Sequence, residues 1–279
     1  MTFAYFGTPY VARDTLRILV ARGFVPKVVV TSPDAPRGRG MQLTPCETKE
    51  WALAHELSVL TPEKITPEFI EMIQAQQCEY AIVVAYGKIL PQALIDAFPK
   101  GVLNIHYSLL PVYRGASPVE AALLHGDTVT GVTIQQMVYK LDAGDILAQK
   151  EVSILPTETT RELRPRLITE GAELLADLLP AFEQGSVIPV PQDESKATHS
   201  KKIEKAEGEL ELAGDPVTNW NKYRAYAESP GTYFFTERSG KRMRVKIVTA
   251  TFEGGRFLPD RIIPEGKKET SYASFQTPG

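Results

Sequence analysis

The chain has 279 residues, 43% of them hydrophobic, enough apolar surface for one large core and a smaller second one. Its net charge of −3 and its two cysteines, Cys46 and Cys78, speak against a general nucleic-acid binder, a disulfide framework and a cysteine metal site, and they fit a reducing cytosol. No apolar run approaches the ~20 residues that cross a bilayer; the opening Met-Thr-Phe-Ala-Tyr-Phe-Gly lacks a charged leader region; His55, His106, His125 and His199 are too scattered for a zinc site.

In chain order, residues 3–6 read as a short buried strand stopped by Gly7, Thr8 and Pro9. A helical pattern over 10–22 puts Leu16, Leu19 and Val20 on one side, and 25–30 is a second strand. Residues 31–46, rich in Pro, Gly and Arg, read as a loop. A helix over 47–57, a brief strand at 57–60 and a helix over 66–76 lead to an apolar run at 79–84, which reads as a buried strand. Ala85, Tyr86 and Gly87 turn out of it, and Pro91 begins another helix. Residues 101–106, Gly-Val-Leu-Asn-Ile-His, form a further short buried strand. A helix near 117–125 precedes an alternating strand at 131–137, with 146–154 as its expected neighbour. Residues 160–182 form a long amphipathic helix with Pro165 in its first turns, where proline does least harm.

Strands alternating with helices imply an α/β fold, a Rossmann-like and mostly parallel sheet covered on both faces. No Gly-x-Gly-x-x-Gly follows the turn at Gly7, which disfavours a dinucleotide site. Residues 186–203 are proline-bearing and polar and read as a linker. Beyond them, 232–235, 242–249 and 256–259 look like strands between glycine turns, a small β barrel or sheet. The expected organisation is a domain over 1–185, a linker over 186–203 and a smaller β domain over 204–279. Residues 196–279 hold 15 Lys+Arg against 11 Asp+Glu, net +4, which leaves −7 for 1–195. Such a basic C-terminal part is either a solvated surface or a face for an anionic partner.

Asn104 and His106 stand two apart at the end of their strand, so both side chains project from one face. In open α/β sheets the C-terminal edge of the strands is where ligands bind. Asp142, within Leu141-Asp142-Ala143-Gly144-Asp145, can reach the imidazole from another loop. The trio suits attack on an acyl carbon: a donor for the oxyanion, a proton handler, and a group that tunes it. Taken alone, an Asn-x-His more often caps a turn, and Asp142 is then an ordinary loop residue.

The surrounding residues shift that balance. Phe6-Gly-Thr-Pro9, Pro33-Asp-Ala-Pro-Arg-Gly-Arg-Gly40, Ala85-Tyr-Gly87 with Ile89-Leu-Pro91, Asn104-Ile-His-Tyr-Ser-Leu-Leu-Pro-Val-Tyr-Arg-Gly115, Thr130-Gly-Val-Thr-Ile134 and Leu141-Asp-Ala-Gly-Asp145 run through the chain in that order. On these residues the chain resembles the methionyl-tRNA formyltransferase family of folate-dependent formyltransferases, well over 3–200 and weakly beyond.

The resemblance implies a Rossmann-like formyltransferase domain and an OB-like C-terminal β domain that contacts tRNA. It implies 10-formyltetrahydrofolate as formyl donor, the α-amino group of initiator methionyl-tRNA as acceptor, and no metal. It further implies a cytoplasmic location; a monomer with no membrane contact is expected. Asn104 and a protonated His106 would bind the oxyanion, while Asp142 stabilises the charged imidazole and helps move the proton. Ser108, Leu109, Leu110 and Pro111 would form part of the folate site, facing a wall at 82–90 that includes Tyr86, Gly87 and Ile89. Arg37 and Arg39 would meet tRNA from the 31–46 loop, and Lys241 and Arg242, with Lys201, Lys202, Lys222 and Arg224, from the C-terminal domain. Asp145 is a loop carboxylate outside the chemistry.

Two departures stand out. Tyr107 occupies a position where a small residue is common. The C-terminal part looks shortened: beyond Phe257 the further strands are missing or compressed into 264–279, and a five-stranded barrel is hard to complete. Other readings keep the chemistry and change the acceptor to an amino-sugar nucleotide or a purine precursor, release formate by hydrolysis, or bind tRNA or folate without catalysis. The Arg-Gly loop and the basic C-terminal part argue against the first, and the intact trio against the last.

Overall fold

The computed structural model describes residues 2–37, 40–238 and 240–276; Arg39 falls outside them, and of Arg37 only the backbone is described. The chain packs as two compact units that are not contiguous in sequence. One comprises 1–114, 131–152 and 165–199, the other 115–130, 153–164 and the chain from 200 onward. The packing units thus differ from the sequence-based division: 186–199 belong with the first unit, and two segments from within 1–185 with the second.

In chain order, β1 (Phe3–Gly7), α1 (Tyr10–Ala21) and β2 (Val28–Val30) come first. Then follow β3 (Ala35–Arg37), β4 (Gln42–Thr44), α2 (Glu47–Ala54), β5 (Val59–Leu60), α3 (Pro67–Gln74), β6 (Tyr80–Val84), α4 (Gln92–Ile95) and β7 (Val102–His106). β8 (Arg114–Gly115) and α5 (Pro118–His125) precede β9 (Val129–Gln136), β10 (Ile146–Ser153), the long α6 (Thr160–Glu183) and β11 (His199–Ser200).

The main sheet, in the first unit, has seven strands in the order β10-β9-β7-β6-β1-β2-β5. β1 lies parallel between β2 and β6, β7 is parallel to β6, and β9 is antiparallel to β7. Every residue of β1 and β6 is buried, which is why both read as unbroken apolar runs: a parallel strand covered on both faces has no solvent side to alternate with. Ala4, Phe6, Val28, Val30 and Val83 join Phe69, Leu94 and Phe98 in one core layer. On the other face Phe3 stacks on Tyr80, whose ring meets Phe182 of α6 edge-on, both at 5.4 Å. Each such buried side chain contributes about 1.5–3 kcal/mol. α6 lies close on β7 because residue 171 is glycine; a Cβ there would stand 2.9 Å from Ile105 Cγ2.

Two local expectations change. The second strand starts at Val28, not at 25, since Pro26 has no N–H for a ladder. The 31–46 segment, read as a loop, contains the antiparallel pair β3–β4.

In the second unit α5 packs against α7 (Pro216–Ala225), a helix that the sequence reading did not foresee. Pro216 occupies its first turn, and Asp215 caps it by accepting from Thr218 N at 2.7 Å. β12 (Tyr233–Arg238), β13 (Lys241–Glu253), β14 (Arg256–Pro264) and β15 (Thr270–Ser271) form a four-stranded antiparallel sheet, followed by α8 (Tyr272–Gln276). β13 and β14 are both longer than expected. Leu210, Phe234, Val245, Ile247 and Ile262 make the core beneath this sheet.

Candidate active site

β1, β6 and β7 are parallel, so their C-terminal ends bring Thr8, the 85–87 turn and His106 to one edge of the sheet. On β9, Gln135 lies opposite Asn104 and Thr133 opposite His106. His106 is only 5% exposed. Its Nε2 is 2.9 Å from the Tyr113 carbonyl oxygen, which can only accept, so that nitrogen carries a proton. Nδ1 faces Asp142 Oδ2 at 3.6 Å. The two make an ion pair whenever Nδ1 also carries a proton. The Asp142 Oδ1 accepts from Gln135 Nε2 at 2.9 Å. Asn104 is half-buried, and its carboxamide makes no hydrogen bond among the described residues. A fixed imidazole–carboxylate pair therefore stands beside an uncommitted amide donor.

Asp142 is delivered by the loop between β9 and β10, which closes where Gln136 N donates to Asp145 O at 2.9 Å. The residue itself adopts φ +47°, a left-handed conformation in which Asp is better tolerated than most residues. Gly144 is required there, because a Cβ would collide with the Gln136 carbonyl.

The turn at 108–111 is anchored from within. Ser108 is fully buried and donates its hydroxyl to Val112 O at 2.5 Å. Thr133 Oγ1 donates to Ser108 O at 2.7 Å and accepts from Leu110 N at 3.1 Å and Gln149 Nε2 at 2.9 Å. Leu110 is buried, while Leu109 and Pro111 are half-buried. Ser108 and Leu110 thus shape the turn, and only Leu109 and Pro111 keep side-chain surface for a ligand. Tyr86 packs edge-on against Phe6 at 5.4 Å; its hydroxyl is buried without a partner among the described residues, and that burial pushes its pKa up to about 12. Gly87 is exposed, and Ile89 is 82% exposed. Ile89, with Lys64, Ile65, Lys88, Pro91 and Tyr139, lines a cavity of about 330 Å³. A larger cavity, about 390 Å³, lies at Lys100, Gln136 and Phe182 and includes none of these residues; Lys100 precedes β7, whereas His106 ends it.

Of the residues expected to meet tRNA, Lys241 and Arg242 are exposed on β13. The Arg242 guanidinium sits 3.8 Å from the Phe235 ring centre and that of Arg244 3.7 Å from Tyr233. Lys201 pairs with Glu207 at 3.0 Å, and Lys222 donates to Glu209 O at 3.2 Å. Arg224 departs from expectation: it is 5% exposed and donates to Asn221 Oδ1 at 2.7 Å, so burial withholds it from a phosphate. Arg39 and the side chain of Arg37 lie outside the described residues.

The sequence reading missed Gln135, Thr133 and Gln149. Their signal is polar residues recurring along strands at the sheet's end, Gln135 and Thr133 on β9 among them, and it has meaning only once β9 is known to lie against β7. Among the described residues no group of three or more His, Cys, Asp or Glu could hold a metal, and no helix is long and apolar enough to cross a membrane.

A family profile described as formyl transferase matches residues 3–179. The methionyl-tRNA formyltransferase of Bdellovibrio bacteriovorus is 42% identical over 254 residues, covering 90% of this chain and 79% of that protein. The protein of the same name from Chloroflexus aggregans is 42% identical over 278 residues, covering 99% and 89%. Among solved structures, an N-formyltransferase from Helicobacter canadensis in complex with folinic acid and dTDP-3-aminofucose superposes with a TM-score of 0.67 at 17% identity, covering 91% of this chain and 89% of that one. Methionyl-tRNA formyltransferase from Clostridium thermocellum gives 0.63 at 14% identity, covering 95% and 99%. At these identities the solved structures share the fold alone.

Proposed function

The chain belongs to the methionyl-tRNA formyltransferase family, and on that premise we propose that Asn104, His106 and Asp142 transfer the formyl group of 10-formyltetrahydrofolate to the α-amino group of initiator methionyl-tRNA. The observation that carries this reading is the held imidazole: Nε2 on the Tyr113 carbonyl at 2.9 Å, and Nδ1 facing Asp142 at 3.6 Å beside the free Asn104 amide. The unprotonated amine attacks the formyl carbon, the new C–N bond forms, and the carbonyl oxygen becomes negative. Asn104 donates to that oxygen. The His106–Asp142 pair handles the proton: the imidazolium gives one up to N10 as the C–N10 bond breaks, and the neutral imidazole that remains takes one from the attacking nitrogen. Electrostatic help of this kind is worth roughly 10²–10³-fold per donor, and proton handling a comparable factor.

The pterin end of the donor belongs at the 108–111 turn and the 85–87 turn, with the cavity at Ile89 and Pro91 alongside. We assign formyl transfer to the unit that comprises 1–114, 131–152 and 165–199, and tRNA contact to 204–279, through Lys241 and Arg242. Arg37 and Arg39 are assigned to tRNA from sequence alone. The site needs no metal in this scheme.

The test compares acceptors. With 10-formyltetrahydrofolate, the protein formylates charged initiator tRNA and not an amino-sugar nucleotide, and releases no formate in buffer alone. His106→Ala and Asp142→Asn each fold normally and lose roughly 10²–10⁴-fold in kcat. Near wild-type turnover in the His106→Ala enzyme overturns the assignment.

A further inference from the structure

Asp142 has to hold its carboxylate toward His106 from a loop whose backbone is left-handed at that residue. Outside the loop, one side chain grips it at two points. Gln192 Nε2 donates to Asp142 O at 2.9 Å and to Gly144 O at 2.7 Å. Its Oε1 accepts twice from Arg114, from Nε at 3.0 Å and Nη2 at 2.7 Å. Carbonyls only accept and a guanidinium only donates, so the orientation of this amide is fixed and its hydrogen-bonding capacity is full. Arg114 is 1% exposed, and it also donates to Glu194 at 3.2 and 2.9 Å. The same Glu194 takes Lys140 Nζ, from the Asp142 loop, at 2.8 Å. Hydrogen bonds from Arg114 first, then from Lys140, hold the Glu194 carboxyl down to about 2, so this tie is charged at any assay pH.

Arg114 follows Tyr113, whose carbonyl binds His106 Nε2. One clamp therefore fixes both groups between which the imidazole is held, Tyr113 O on one side and Asp142 on the other. We propose that Gln192 is a positioning residue for formyl transfer, setting the Asp142 carboxylate against His106 by bridging the 142–144 carbonyls to Arg114. The proposal rests on the function assigned above to Asp142.

The experiment is a double-mutant cycle on the full chain, read as steady-state kcat and KM with 10-formyltetrahydrofolate and methionyl-tRNA. Gln192→Leu removes all four bonds. Gln192→Glu keeps the acceptor for Arg114, and with it the fold, but sets a carboxylate oxygen against two carbonyls. Misplacement near 1 Å costs about 10²-fold, so both variants should lose tenfold or more in kcat, roughly, with KM for either substrate moving less than about twofold. In an Asp142→Asn background, the Gln192 substitutions should cost no more than about twofold further, because the group they position is already gone. Equal losses in both backgrounds, a change confined to KM, or wild-type kcat in the Glu variant would each overturn the proposal. Full activity in Asp142→Asn alone would instead remove the functional reading beneath it.

Discussion

A carboxylate that orients an imidazole must itself be oriented, and Gln135 does this for Asp142 through the 2.9 Å bond to Oδ1. Gln135 is 1% exposed, so water does not compete for its amide, and a bond from such a buried donor to a charged group is worth about 1.5–3 kcal/mol. Gln135→Leu keeps the volume and removes the donor. The expected result is a kcat lower by roughly ten- to a hundredfold, the same free energy expressed as a rate, with little loss of thermal stability, since the Gln135 Oε1 already lacks a partner among the described residues. Measuring kcat beside a melting curve separates the two effects. A large drop in Tm with unchanged kcat would make Gln135 a structural residue. Asn104 differs from it in kind: its amide holds no partner among the described residues, as the proposed oxyanion role requires.

At the level of elements, the turn at 108–111 hangs from β9 by one hydroxyl. Thr133→Val is isosteric and takes three hydrogen bonds away, leaving Ser108 O and Leu110 N buried without that partner. The cost should be about 1–3 kcal/mol of stability, seen as a lower urea midpoint, together with a raised KM for the formyl donor if the turn binds the pterin. An unchanged KM would place the folate elsewhere. The sequence made much of this architecture legible. Apolar runs at β1, β6 and β7 are forced by a sheet covered on both faces, and Asn104 and His106 follow from the two-residue period of a strand. What it concealed were partnerships across long separations. Residues 186–203 look like a linker because they are polar and proline-bearing, yet Gln192 and Glu194 are polar in order to bond Asp142, Gly144 and Arg114, and Thr198 accepts from Tyr113 N at 2.8 Å. A local pattern cannot distinguish a polar residue kept for water from one kept for a loop fifty positions away. The helix at Pro216–Ala225 was missed for a related reason: it buries Asn219, Asn221 and Arg224 as well as Trp220, so it carries no apolar stripe to read.

Over the whole molecule, the uneven charge of the chain, net +4 beyond residue 195 and −7 before it, acquires a location in the second unit. β12 and β13 pair so that Tyr233 opposes Lys246, Phe235 opposes Arg244 and Glu237 opposes Arg242. Opposed residues share a face, and the alternate residues Phe234 and Val245 fill the core behind it. The outer face is therefore a ladder of aromatic rings under guanidinium groups, with Arg242, Arg244 and Lys246 all exposed. Stacking on Phe235 and Tyr233 fixes where these charges sit, which favours a rigid polyanion over free ions. The Arg242→Ala, Arg244→Ala double variant should raise KM for methionyl-tRNA while leaving kcat at saturating tRNA near wild type, because the proposed formyl chemistry uses no atom of this face. Each phosphate that is no longer neutralised should also lower the slope of log affinity against log salt by about 1, so the two substitutions together should change it by about 2 in titrations between low and moderate salt. The aromatic rings stay in place in this variant, so a fall in slope isolates the charges from the stacking. Should the slope and KM both remain as in the wild type, the acceptor tRNA would have to be held by another surface, and the positive balance of the C-terminal part would be no more than solvated charge.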